Sequence, residues 1–155
     1  MSVGRIMREL MKLKQLLRTG WVRSGVESPE SVASHSWGMA ILAMKLCPGN
    51  LNKTRVIEMC IVHDLPEIIV GDLTPLDDQT NKHNDEIKAM NKLAPFWLDL
   101  LLEYEEQRTE ESKFVKYLDK LDMAYMARLY EEQQGLDLEE FVTSAREVIG
   151  ETNLK

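Results

Sequence analysis

The sequence predicts an all-α chain, a bundle of six or seven helices without a sheet. Three observations predict it. Apolar residues recur at spacings of three and four along most of the 155 residues, Pro and Gly break those periodic stretches, and runs of alternating β-branched residues are missing. An apolar share of 44% supports a core, and a length near the usual domain size argues for one domain over residues 1–155.

The elements follow in order. Val3, Ile6, Met7, Leu10, Leu13 and Leu17 form one stripe, which predicts an amphipathic helix over 3–18, ended by Arg18-Thr19-Gly20-Trp21. Ser28-Pro29 reads as a cap followed by proline at the first helical position, so a second helix runs from there to Cys47, where Pro48-Gly49 stops it. Asn52 or Thr54 caps a third helix to about Asp64. Its continuation bends at Pro66, which removes a donor and crowds the preceding turn. Gly71-Asp72-Leu73-Thr74-Pro75 is a loop, and 79–93 a polar helix. Pro95 opens another over 95–107, whose Trp97, Leu98, Leu100, Leu101 and Leu102 belong to the core. A long helix spans 110–133, ended by Gly135, and 137–149 is a packing helix through Leu138, Phe141, Val142, Ala145 and Ile149.

Composition excludes some functions. A net charge of −7 counts against a nucleic-acid coat or an anionic-membrane binder, both of which need a basic face. No apolar run approaches the ~20 residues that span a bilayer. The segment MSVGRIMRELMKLKQLL lacks the apolar stretch of a secretory signal. Cys47 and Cys60 form no CxxC pair and read as buried thiols of a reducing, cytoplasmic compartment. No GxGxxG or GxxxxGK[ST] loop is present to cradle a phosphate.

Chemistry concentrates on a few side chains. His35 shares a helical row with Val32, Met39, Leu42 and Leu46, and His63 one with Val56 and Met59. His83 sits in a polar stretch and faces solvent. Taken singly, His35 reads as a core histidine satisfied by one hydrogen bond, and His63-Asp64 as a helix-end pair in which the imidazole offsets the negative dipole. Three features raise the pair above that. Asp64 lies among Ile57, Cys60, Ile61 and Ile68, and a buried carboxylate needs a charge partner. Glu67 follows one turn on, and Asp72 comes next in the loop. Asp119 and Asp122 lie beside the apolar face made by Val115, Leu118, Met123 and Met126. Imidazole and carboxylate donors converging from three helices suit one divalent transition metal (Mn, Co, Fe, Ni or Zn) with positions open to water and substrate.

His35, then His63-Asp64, then the distant Asp119 resemble the H…HD…D signature of the HD superfamily of metal-dependent phosphohydrolases. Arg18-Thr19-Gly20-Trp21, Glu30-Ser31-Val32-Ala33-Ser34-His35-Ser36, Val62-His63-Asp64-Leu65-Pro66-Glu67, Val70-Gly71-Asp72-Leu73-Thr74-Pro75 and Val115-Lys116-Tyr117-Leu118-Asp119 together resemble the HD-domain 5′-deoxynucleotidases, over residues 10–130. The resemblance implies an all-α HD fold, a homodimer, and one divalent metal held by His35, His63, Asp64 and Asp119. It implies Glu67 as catalytic acid or base and Asp72 as a catalytic-site carboxylate touching the sugar. It also implies Arg18 on the phosphate, with Trp21 and Thr74 lining the substrate pocket. The implied reaction takes nucleoside 5′-monophosphates to nucleoside and phosphate. Asp119 keeps the family's VKxxD spacing, and Asp122 is left to a supporting or helix-face role. Ser34 stands where the family often has an acidic residue, and 80–86 departs from the family's Arg-bearing stretch. Two rival readings remain: an HD enzyme acting on cyclic, tri- or tetraphosphate nucleotides, and a helical module with a structural metal.

Overall fold

Nine α-helical segments, seven of them of eight residues or more, make up the computed structural model over residues 2–150, the residues it describes. They are α1 (Val3–Met11), α2 (Thr19–Arg23), α3 (Val32–Leu46), α4 (Lys53–Val62), α5 (Glu67–Val70), α6 (Lys82–Leu93), α7 (Leu98–Glu105), α8 (Glu110–Gln134) and α9 (Glu139–Ile149). Short 3₁₀ turns cover Lys12–Lys14 and Pro95–Trp97. No strand occurs among the described residues. Leu17 and Ser31 form one isolated antiparallel bridge.

That bridge corrects the N-terminal reading. The first helix stops at Met11 rather than 18, because the backbone of 16–18 turns to residues 30–32 for partners. Arg18 N–H donates to the Glu30 carbonyl at 3.0 Å, and Val32 N–H to the Leu16 carbonyl at 2.8 Å. The tail of the predicted stripe therefore leaves the helix, and Leu17 is exposed. The same pairing delays the second helix from Ser28-Pro29 to Val32. Its cap is Ser31, whose Oγ accepts from Ser34 N–H at 3.1 Å, whereas Ser28 sits at φ +50° in the turn before it. Thr19–Trp21, expected to end a helix, instead begins α2.

Elsewhere local chemistry sets the boundaries as expected. The Asn52 side chain accepts from Arg55 N–H and caps α4. Thr109 and Ser112 form a reciprocal capping box at the start of α8. Gly135, at φ +68°, ends α8 in the left-handed conformation that suits glycine. α8 is the axis of the bundle, with α3, α4, α7 and α9 packed around it. The main core gathers Leu10, Met39, Met59, Met90, Leu101 and Leu118, each burial stabilising by about 1.5–3 kcal/mol before conformational entropy is set against it. A second cluster joins Trp21, Tyr130, Leu138 and Val142 and fastens α9 to the N-terminal segment. Cys60 is buried, whereas Cys47, the C-cap of α3, is only half-buried; neither is in a disulfide.

Candidate metal and active site

His35, His63, Glu67 and Asp119 each owe their place to a helix end or a helix row. His35 lies in the first turn of α3, with its ring fully buried against α8. Asp119 and Asp122, three apart on α8, point the same way and grip the ring from its two nitrogens. His35 Nε2 is 2.6 Å from Asp119 Oδ1, and Nδ1 is 2.6 Å from Asp122 Oδ2. Asp119 and Asp122 thus make two contacts on opposite sides of one imidazole.

His63 is the C-terminal cap of α4. Its ring folds back so that Nδ1–H donates to the Cys60 carbonyl at 3.0 Å, satisfying one of the orphan carbonyls of that helix end. Nε2 of His63 is buried and makes no hydrogen bond. It lies 3.1 Å from Asp64 Oδ2 and 4.0 Å from Asp119 Oδ1, and Asp64 Oδ2 lies 3.9 Å from His35 Nε2. Donor atoms of His35, His63 and Asp64 all fall within 4.8 Å of one another. A buried imidazole nitrogen that makes no hydrogen bond, its tautomer already set from the far side of the ring and carboxylates beside it, is the arrangement a divalent cation completes. The donor set fits the implied metal.

The electrostatics agree. Burial and then the Arg18 charge oppose charge on His35, yet its hydrogen bonds to Asp119 and Asp122 outweigh them and raise its pKa to about 10. Burial likewise opposes charge on His63, and Asp64 overcomes it to raise that pKa. Against its own burial, His63 and His35 hold Asp64 down at about 2, and the two imidazoles also depress Asp119. A bound cation would take the place of imidazole protons here, so cation binding releases protons.

Glu67 opens α5 immediately after Pro66, and only 6% of it is exposed. Its Oε2 has no hydrogen-bond partner. Burial, then the charges of Asp64 and Asp72, push its carboxyl up to about 11 against the opposing charges of Arg18 and Lys82.

Asp72 follows Gly71, whose φ of +89° turns the chain sharply out of α5. Asp72 is occupied by the Arg18 turn: Oδ2 accepts Thr19 N–H at 2.7 Å, its carbonyl accepts the Thr19 hydroxyl at 2.7 Å, and Oδ1 stands 4.0 Å from Arg18 Nη1. Thr74 Oγ1 accepts from Arg23 Nη1 at 2.5 Å, and Arg23 also forks onto Asp77 at 2.8 and 3.0 Å, fastening the loop to α2. Trp21 contributes to the wall but is 99% buried, packed against Phe141 and Tyr130, with Nε1–H donating to Glu30 Oε1 at 3.1 Å.

These residues open onto one cleft of about 700 Å³. Its lining includes Arg18, Trp21, His63, Asp64, Glu67, Asp72, Thr74 and Asp119, while His35 stays behind the surface. That volume suits a mononucleotide-sized ligand. The cleft also includes residues that motif reading missed: Lys82 and Glu86 on α6, Tyr104 and Glu105 on α7, Lys116 and Lys120 on α8, and Phe141 and Ser144 on α9. Lys116 and Lys120 flank Asp119 on its own helix and could have been found from that spacing. Phe141 carried no such signal, since it read as an ordinary packing residue. His83 is exposed, as expected.

The chain's comparisons agree with this geometry. The sequence matches the model of the HD domain family over residues 10–155. The 5′-deoxynucleotidase HDDC2 of Mus musculus is 41% identical over 141 residues, covering 84% of this chain and 71% of that protein. The 5′-deoxynucleotidase hdd1 of Schizosaccharomyces pombe is 37% identical over 155 residues, covering 88% and 77%. The crystal structure of the PH0347 protein from Pyrococcus horikoshii OT3 superposes with a TM-score of 0.87 at 34% identity, covering 98% of this chain and 91% of that one.

Proposed function

This chain belongs to the HD domain family, and we propose that it is a metal-dependent phosphomonoesterase hydrolysing nucleoside 5′-monophosphates, deoxyribonucleotides foremost, to nucleoside and phosphate. One observation carries the reading: His63, whose buried Nε2 makes no hydrogen bond beside Asp64 and Asp119, lines the same cleft as Arg18 and as Glu67, whose buried Oε2 is also without a hydrogen bond. The relatives named 5′-deoxynucleotidases support the substrate class.

In this reading His35, His63, Asp64 and Asp119 would hold one divalent cation, drawn from Mn, Co, Ni, Fe or Zn. When bound, it supplies a Lewis acid for a phosphoryl oxygen and a lowered pKa for water. Arg18, held in the cleft beside Asp72, offsets the phosphate charge and orients the ester for in-line attack. Glu67 moves a proton at its carboxyl group, giving it to the leaving 5′-oxygen as the P–O bond breaks. The proton released by the attacking water restores it. Asp72 serves catalysis from the sugar side, by fixing the turn that carries Arg18 and by facing the ribose, and Thr74 and Trp21 complete the substrate wall.

Residues 1–155 form one domain, supported by the family match over 10–155. A cytoplasmic setting is supported by two free thiols. No helix among the described residues is long and apolar enough to cross a membrane. A homodimer is supported by Trp37, Ile41 and Met44, exposed about one turn apart along α3. The end of that helix, Leu46, joins Phe114, Tyr117 and Leu121 in a shallow apolar pocket, and a second copy of this chain covers the face.

Phosphate release from ribo- and deoxyribo-5′-monophosphates, triphosphates, cyclic nucleotides and guanosine tetraphosphate, each with several divalent cations, tests the proposal. Release confined to the 5′-monophosphates and dependent on the cation is the expected result. Turnover only of the other classes would assign the cleft to a different HD chemistry.

A further inference from the structure

We infer that Asp122 is a positioning residue, which holds the His35 ring in the orientation and tautomer that aim Nε2 at Asp119, Asp64 and the open side of His63. The inference rests on the reading of His35 as a metal ligand. Asp122 lies outside the ligand set and opens α8's next turn behind it. Its side chain is 10% exposed, and its Oδ2 sits 2.6 Å from His35 Nδ1. A carboxylate can only accept, so this contact holds a proton on Nδ1; once Nε2 gives up the proton that bonds Asp119, the lone pair of the neutral ring lies on Nε2.

The surroundings are built for that carboxylate. Position 38 on α3 faces it one turn after His35, and a Cβ there would overlap Asp122 Oδ1. Glycine in a helix interior costs about 1 kcal/mol relative to alanine, and here it clears the seat Asp122 occupies. Behind it stands Glu30, pinned by Trp21 Nε1–H at 3.1 Å. Donor atoms of Glu30, His35 and Asp122 also group within 4.8 Å. Nδ1, carrying the proton for Asp122, has no lone pair to contribute there, so the group is a rear support for His35 rather than a separate cation site.

The test is Co²⁺ binding to the metal-stripped protein, followed by calorimetry and visible absorption, in the parent, His35→Ala, Asp122→Ala, Asp122→Asn and Gly38→Ala, with circular dichroism melts of each. Asp122→Ala should weaken Co²⁺ binding by about 10–100-fold and alter the cobalt spectrum. Asp122→Asn keeps an accepting oxygen and should fall between Ala and the parent. Gly38→Ala keeps the aspartate but evicts its carboxylate, and should follow Asp122→Ala. A folded Asp122→Ala protein with the parent's affinity and spectrum would overturn the inference. Should that variant fail to fold, parental binding in both Asp122→Asn and Gly38→Ala would do the same. A parent that binds no Co²⁺, or a His35→Ala protein that binds it as the parent does, would remove His35 as a ligand and take the inference down with the functional reading.

Discussion

Glu67 is the residue whose chemistry depends most on what surrounds it. In sequence it is one acid among 26, flanked by a proline and two isoleucines. In the fold it is buried beside Asp64 and Asp72, and the repulsion of those carboxylates adds to desolvation in keeping its proton. A carboxyl placed in a cleft with Arg18 is positioned to pass a proton to a leaving alkoxide. Glu67→Gln keeps the shape and loses the proton transfer. It should lower kcat by about 10²–10⁴-fold while KM and Co²⁺ affinity stay near the parent's, as measured by steady-state phosphate release and calorimetry. Parental kcat in that variant would end the role given to Glu67. The histidines show the same dependence on neighbours. The row containing His35 identifies it as interior, but its two carboxylate partners come from a helix more than eighty residues away.

At the scale of the element, α6 shows what a polar helix can hide. Its composition reads as a solvated segment, yet Glu86, Ala89, Met90 and Leu93 are buried along its inner face. Burial and the adjacent Glu105 carboxylate push the Glu86 carboxyl up to about 9, from an ordinary 4.5. A carboxyl whose folded pKa is raised favours the fold while it is protonated. Its contribution is complete below about pH 4.5 and is lost as pH rises through 9. Glu86→Gln cannot lose a proton. Its melting temperature should match the parent's at the acid end of that window and exceed it by about 3 °C or more at the alkaline end. Thermal melts of both proteins across the window check this, and a constant difference would refute it. The N-terminal elements teach the opposite lesson. Their apolar stripe is real, but hydrogen bonds between 16–18 and 30–32 override it, because the chain must turn there to bring Arg18 to Asp72.

At the scale of the whole molecule, α3, α4 and α8 each deliver part of the donor set, and their packing does not depend on it. The core of Met39, Met59 and Leu118 lies among the same helices, with Leu101 of α7 beside it, and is held by apolar burial. Removing the cation by chelation should therefore abolish phosphate release while the helical circular dichroism persists, with a melting temperature lowered only by the lost binding energy. Activity should return on adding Mn²⁺ or Co²⁺. Loss of helicity on chelation would instead favour a structural metal, the rival carried from the sequence.

The sequence by itself determined the all-α class, the boundaries set by Asn52, Pro66 and Gly135, and the identity of the residues worth watching: His35, His63, Asp64, Glu67, Asp72 and Asp119. Those features are local, or are carried by short motifs, because caps, breakers and helical periodicity act over one or two turns. Only the tertiary structure decided how the residues meet. It placed Asp119 and Asp122 on opposite nitrogens of one ring, left His63 Nε2 without a partner, and turned Asp72 toward the Arg18 turn. It also brought Phe141 of α9 against Trp21, making a C-terminal packing helix part of the cleft. Those outcomes rest on contacts between segments far apart in the chain and on burial, which raises the pKa of one carboxyl while its neighbours' charges lower another's, and neither is encoded in the spacing of residues along one helix.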